Sequence, residues 1–130
     1  REEGSVNRSS LDFFLTTVND PALLYANEWL TFARGKVYIR VSQRIFAGDQ
    51  RKCIDVATVE WPEKLRGQGR FTAMLDSIRK ACQFPIYVEN VLEPRLALYL
   101  EKRGFSRLPS DPFFTDAPPC FILFGPLQQP

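Results

Sequence analysis

The stretch Leu65-Arg66-Gly67-Gln68-Gly69-Arg70 has the composition and placement best suited to chemistry in this chain. It runs straight into a segment where Phe71, Met74, Leu75 and Ile78 recur at i, i+3, i+4 and i+7, which predicts an amphipathic helix. The start of a helix presents backbone N–H groups that have no partner within it, so it draws anions. Gly67 and Gly69 remove side chains where a phosphate would approach and permit backbone angles other residues resist. Arg66 and Arg70 add charge, and a guanidinium can grip phosphate as a fork. No Gly-Lys-Ser/Thr follows, so this is not a P-loop. The glycines are too few, and the preceding element is the wrong one, for a dinucleotide fingerprint. Two glycines spaced this way also suit a tight turn that binds nothing. The order strand, Pro62, short loop, glycine turn, helix is what favours the anion site.

Other chemistries are narrowed by what the chain lacks. There is no histidine, which excludes a His-based triad and His/Cys zinc sites, and no metal is expected. Any base must be a carboxylate, a water relay or the substrate itself. Cys53, Cys82 and Cys120 are odd in number and widely spaced, so they form no disulfide framework. Cys82 reads as buried filler. A net charge of +2 is too small to argue for nucleic acid. Between Arg34 and Lys52, however, the cations Arg34, Lys36, Arg40, Arg44, Arg51 and Lys52 face only Asp49. That run suits either a solvated sheet face or a surface collecting an acidic partner or cofactor phosphates.

With 130 residues, one domain spanning 1–130 is expected, residues 1–9 forming a loose leader. No apolar run is long enough for a membrane span and no signal peptide is visible, so cytoplasmic placement is the default. The first residue is not Met, which suits a processed or trimmed chain.

The elements that must hold the glycine turn are also legible. A short helix is expected over Leu11–Val18, capped by Ser9 or Ser10, with Asp12 in its first turn. A second helix is expected from Pro21 to about Ala33, on the spacing of Leu23, Leu24, Asn27, Leu30 and Thr31. From Lys36 to Phe46, Val37, Ile39, Val41 and Ile45 alternate with Tyr38, Arg40, Ser42 and Arg44, which predicts a strand. A turn over 47–50 leads to a second strand, Arg51 to about Trp61, and the two form an antiparallel hairpin. In that second strand Cys53, Asp55, Ala57, Val59 and Trp61 are expected on one face, and Ile54, Val56, Thr58 and Glu60 on the other. After the amphipathic helix, Phe84–Val88 is a short buried strand, parallel to or splayed from its predecessor. A further helix begins at Glu93-Pro94, with Leu92, Leu96, Tyr99, Leu100 and Arg103 inward and Gly104 as a left-handed cap. Phe105–Leu108 and Cys120–Phe124 are brief strands around a proline-rich loop.

On these residues the chain resembles the GCN5-related N-acetyltransferase (GNAT) superfamily. The family signature is Arg or Gln, two residues, Gly, one residue, then Gly or Ala, lying between a strand and a helix. Arg66 and Gly69 match it, Gly67 sits where glycine is common, and Phe71 departs from Gly or Ala. Glu101-Lys102-Arg103-Gly104-Phe105 is similar to the family's later helix ending. Leu100 holds the place of the family tyrosine, and Tyr99 lies one position earlier. The resemblance covers residues 36–105 and extends to the last strand. It implies a mixed α/β (α+β) acyl-CoA N-acyltransferase-like fold, a central mixed sheet flanked by helices. The early part is either pared down or hides a strand within the expected second helix.

The resemblance also implies roles. Acetyl-CoA or another acyl-CoA is the expected cofactor, its pyrophosphate over Leu65, Arg66, Gly67, Gln68, Gly69, Arg70 and Phe71. Its pantetheine arm would run between the strand holding Thr58–Trp61 and that of Phe84–Val88. Backbone groups at Val59 and Trp61 would polarise the thioester, and Asn90 would bind near the strand end, Glu93 replacing the family's usual Asn. Glu60 is the candidate base, Glu89 its competitor, and Tyr99 the candidate acid; Asp55 is expected on the opposite face from Glu60. The implied activity transfers an acyl group to an amine of a small molecule or protein. Residues 9–34 and 106–119, with Phe113, Phe114 and Asp116, would meet that acceptor. No nucleic acid or membrane partner is expected, and a homodimer is allowed. A non-catalytic coenzyme A-binding or protein-interaction module is the alternative.

Overall fold

The alternating pattern between Lys36 and Trp61 produces the longest feature of the molecule, a hairpin of two twelve-residue strands. The computed structural model describes residues 10–64, the backbone of Leu65, and residues 69–109, 113 and 117–129. In chain order it contains α1 (Ser10–Val18), β1 (Ala26–Phe32), β2 (Gly35–Phe46), β3 (Asp49–Glu60), a 3-10 turn (Glu63–Leu65), α2 (Arg70–Ala81), β4 (Ile86–Val88), α3 (Pro94–Lys102), β5 (Ser106–Arg107) and β6 (Phe121–Leu123). The strands form one mixed sheet in the order β1-β2-β3-β4-β6-β5. Among the described residues only β3 and β4 pair in parallel, joined by the α2 crossover; the other neighbours are antiparallel. The expected mixed α/β architecture therefore stands. The expected leader, residues 1–9, lies outside the described residues. Among the described residues, no helix is long and apolar enough to cross a membrane.

The helix expected over Pro21–Ala33 is corrected: those residues hold a turn and then strand β1. Its helical spacing depended on Asn27 and Thr31, which are polar and exposed. As a strand, the segment buries Leu30 opposite Val37 and sends Trp29 to the other face opposite Tyr38. The strand hidden in that stretch was the second of the two options left open by the sequence. A two-residue turn, Ala33 (φ 50) and Arg34 (φ 69), joins it to β2. Both residues adopt the left-handed conformation that a tight hairpin of this hand requires. The 47–50 turn is likewise narrower than expected, since Phe46 pairs Asp49 across Ala47 and Gly48.

One face of the sheet carries the core. Val37, Ile39 and Val41 of β2 meet Leu11, Leu15 and Val18 of α1, Met74, Leu75 and Ile78 of α2, and Ala97 and Leu100 of α3 in a single buried cluster. All three described helices thus pack on the same side. Arg79 secures the end of α2 by donating to the carbonyls of Cys82 (3.2 Å) and Phe84 (3.0 Å), where a cation suits the helix dipole. Leu92, expected to face inward before α3, is instead 80% exposed, and Ala97 takes the buried place. Pro94 opens α3 and the Glu93 side chain caps it through the Arg95 N–H.

The opposite face holds Tyr38, Arg40, Ser42 and Arg44 of β2. Here the expected face assignment of β3 needs a second correction. The register shifts between Tyr38 and Ile39: Ile39 pairs Val56, whereas Tyr38 pairs Thr58. Ala57 is the extra residue of a β-bulge, which turns every later side chain to the other face. Val59 and Trp61 consequently pack against the core that holds Ile54 and Val56. Asp55, Thr58 and Glu60 pair with Arg40, Tyr38 and Lys36, so all lie on the face that none of the described helices covers. Asp55 and Glu60 share a face, contrary to the sequence expectation.

Candidate functional site

Strands β3 and β4 run together only briefly. Ile54 N–H donates to Pro85 O (2.9 Å) and Glu89 N–H to Val56 O (3.3 Å). The parallel register covers Ile54–Val56 against Ile86–Val88, while the β2–β3 register continues to Glu60. Past Val56 the pairing ends, because β4 stops at Val88 while β3 continues. The bulge at Ala57 and the left-handed Asn90 (φ 54) sit at that point. Asn90 is exposed there, and the Val91 N–H is held by Pro119 O (2.8 Å).

The glycine turn follows the end of β3. Gly69 is the N-cap of α2, with φ 77 and ψ 10, a left-handed conformation that favours glycine. Among the described residues, a Cβ added there would meet nothing within 4 Å, so the backbone angle and not crowding selects glycine. Gly69 offers no side chain to cap the helix, and no acidic residue stands in the first turn. The positive end of α2 is therefore not neutralised by its own residues. Arg66, Gly67 and Gln68 lie outside the described residues, and of Leu65 only the backbone is described, ending the 3-10 turn.

Other expected binding residues serve to position this turn. Arg70 Nε donates to Ala33 O (3.0 Å), and Trp61 Nε1 to Phe32 O (3.1 Å). Both anchor the β1–β2 turn to the approach of α2. Gly35 is required by this packing, because a Cβ would lie 2.3 Å from Trp61 Cδ1 and 2.5 Å from Glu60 O. Phe71 meets the Tyr99 ring edge-on at 6.1 Å.

The three acid–base candidates differ sharply in their surroundings. The Tyr99 hydroxyl shares a short hydrogen bond with Thr72 Oγ1 and accepts one from Arg103 Nη1 (2.6 Å). Arg103, itself buried, also holds Asp76 (3.1 Å) and Gln128 O (2.6 Å). Leu100, at the position of the family tyrosine, is fully buried. Glu89 is ion-paired with Arg40 and lies 3.9 Å from Arg44. Glu60 is exposed, and among the described residues no hydrogen bond or ion pair engages its side chain. The three are not brought together at one point: Tyr99 belongs to the α2–α3 contact, Glu89 to the sheet centre, Glu60 to the end of β3.

At the sheet centre, Asp55 is 1% exposed and accepts from Arg44 Nη2 (2.9 Å), Arg44 Nε (3.3 Å) and Ser42 Oγ (3.0 Å). Burial would lower the Arg44 pKa, but the hydrogen bond and charge of Asp55 outweigh it and hold the guanidinium more firmly protonated. Arg44 lies 3.7 Å over the Tyr87 ring. Burial, aided by a hydrogen bond with Cys120, pushes the Tyr87 hydroxyl well above its ordinary value. Lys52 is equally committed, donating to Val18 O (2.6 Å) and Asp20 O (3.1 Å). The cationic run is thus mostly structural, and Arg34 and Lys36 are its members nearest the end of β3.

Those two line a groove that the sequence did not reveal. Trp29, Leu30, Thr31, Lys36 and Glu60 bound a space of about 490 Å³. Through Thr31, Lys36 and Glu60 it continues into a second of about 800 Å³, bounded also by Arg34, Gly35, Trp61 and Pro62. Thr31 pairs Lys36 and Lys36 pairs Glu60, so the three stand abreast across β1, β2 and β3. Reading β1 as a strand would have made this row visible from the hairpin register. Phe113 is 88% exposed, and the other two expected acceptor contacts, Phe114 and Asp116, lie outside the described residues.

Neither a protein-family model nor a curated protein matches this chain. Solved structures do. The NatC complex bound to Gag peptide and CoA aligns at TM-score 0.47 and 20% identity, covering 73% of this chain; the chain spans 62% of that one's length. Ard1 from Thermoplasma volcanium aligns at TM-score 0.42 and 13% identity, over 75% of this chain and 72% of the other. Histone acetyltransferase HPA2 and related acetyltransferase from Corynebacterium glutamicum ATCC 13032 aligns at TM-score 0.41 and 18% identity, over 92% and 74%. At these identities the likeness is one of fold, and no ligand or acceptor passes from them to this chain.

Proposed function

We propose that this chain is an acyl-CoA-dependent N-acyltransferase domain, transferring an acetyl or other acyl group to an amine. The observation that carries this reading is the short β3–β4 pairing, which ends at Val56 while β3 continues, followed by a helix whose first turn is opened by left-handed Gly69 and bears no acid. The open space at Gly69 fits the approach of a pyrophosphate. Leu65, Arg66, Gly67, Gln68, Gly69 and Phe71 are the binding residues, with Arg70 fixing the turn. When bound, the acyl-CoA supplies an activated thioester carbonyl. Backbone N–H groups of β3 beyond the bulge, near Val59–Trp61, orient that carbonyl. The amine nitrogen bonds to it, the carbon–sulfur bond breaks, and coenzyme A leaves as a thiolate that takes up a proton. Glu60, exposed and unengaged among the described residues, accepts the amine proton.

A second reading, coenzyme A binding without catalysis, is favoured by one feature. The Tyr99 hydroxyl is held by Thr72 and Arg103, and Leu100 fills the core where a phenol would otherwise stand. Calorimetric titration with acetyl-CoA tests both. The native chain is expected to bind, and Gly69→Glu to bind at least tenfold more weakly, since it sets a carboxylate at the helix start. Absence of binding by the native chain removes both readings. Binding without thioester consumption across a broad amine panel selects the second.

A further inference from the structure

Lys36 and Glu60 are directly paired residues of β2 and β3. Such residues lie roughly 5 Å apart at Cα in an antiparallel ladder. Opposite charges so placed would ordinarily neutralise each other. Here both are exposed, and neither side chain has an ion pair or hydrogen bond among the described residues. Both line the groove that begins at the end of β3. Arg34 adds a second cation to its lining, held at the turn by its left-handed backbone. Trp29, half exposed and packed 5.3 Å from the Tyr38 ring, forms an apolar wall.

We propose that this groove is the acceptor subsite and that it takes an amine which itself carries a carboxylate. The amine sits at Glu60, the carboxylate at Lys36 and Arg34. This rests on the acyl-transfer reading above and gives it a substrate class. A groove built for an uncharged amine has no use for two cations; one built for a further phosphate of coenzyme A would not present Glu60 to it.

The test compares 4-aminobutyrate with butylamine as acceptors for the full chain and acetyl-CoA. The native kcat/KM favours 4-aminobutyrate by roughly tenfold or more, the worth of one charge-assisted hydrogen bond. Lys36→Met lowers that ratio by about tenfold, and Lys36→Glu shifts preference toward 1,4-diaminobutane. An acidic peptide, compared with its amidated counterpart, distinguishes a peptide source of the carboxylate from a free amino acid; preference for the acidic member in either pair supports the proposal. Equal native values within both pairs, or a ratio unmoved in folded Lys36→Met and Lys36→Glu, overturn it. If no thioester is consumed with any amine, the catalytic reading fails on its own. Calorimetry with the same pairs in the presence of coenzyme A then decides the groove: tighter native binding of the carboxylate-bearing member, lost in Lys36→Met, supports the assignment, and equal binding overturns it.

Discussion

The face of the sheet that none of the described helices covers has a centre and an end that draw on the same strands and residue types yet behave differently. At the centre, Asp55, Arg40, Arg44 and Glu89 are tied into one ion-pair network. At the end, Lys36 and Glu60 stand abreast and unengaged among the described residues. The difference is the company of β4. Where it runs beside β3 it brings Tyr87 over Arg44 and Glu89 against Arg40. Beyond Val56 that pairing ends, and the carboxylate of Glu60 has no partner among the described residues. The carboxylates inside the pairing are committed to ion pairs, whereas Glu60, beyond it, is exposed and unengaged among the described residues.

The comparison is broken most severely at its centre. Asp55→Ala leaves the Arg44 guanidinium half-buried with its main partner removed. Loss of one partner from a buried pair costs about 3–5 kcal/mol. Chemical denaturation should show a midpoint lowered accordingly, with every probe of the fold affected together. A loss within about 0.5 kcal/mol, as for an ordinary surface change, would mean that the network contributes little.

At the end of the face the expected effect is on rate and not on stability. Glu60→Gln keeps the shape of an exposed side chain and removes its ability to take a proton. Its stability should stay within about 0.5 kcal/mol of native, while kcat falls by about 10²-fold, the low end for a lost general base. The paired Glu89→Gln should do the reverse, lowering stability more than Glu60→Gln does. Equal rate losses in the two variants would erase the distinction between centre and end.

The sequence made much of this legible because the relevant signals are local. Strict alternation from Val37 to Val41 needed only β geometry, and the stripe Phe71–Ile78 only helical periodicity. The glycine turn was placed at the start of α2 by its position before that stripe. What escaped depended on relations between segments. The spacing of Leu23, Leu24, Asn27, Leu30 and Thr31 suited a helix locally, but pairing with β2 makes Ala26–Phe32 a strand. A one-residue bulge at Ala57, invisible in the alternation of β3, brought Glu60 to the face of Asp55. Glu89 and Tyr99 had plausible types and positions; which of them is already occupied was decided by Arg40, Thr72 and Arg103, from distant parts of the chain.

A smaller effect, read through pH, sharpens the same contrast from inside the centre. Cys53 lies on β3 two residues from Asp55 and is fully buried. Burial first, and then the charge of Asp55, push its thiol up to about 11, against the opposing pull of Arg44 and Arg51. A thiol that ionises less readily folded than unfolded favours the folded state while both forms are protonated. That contribution is complete below pH 9 and is lost as the pH climbs through about 11, because the unfolded chain releases the proton first. Native stability should therefore fall over that window, and fall less in Cys53→Ala. Thiol labelling at pH 8 should reach the partly buried Cys120 first and Cys53 only as fast as the sheet opens. If Cys53 reacts as readily as Cys120, or if Cys53→Ala leaves the alkaline slope unchanged, the centre of this face is open to solvent and the contrast with Glu60 disappears.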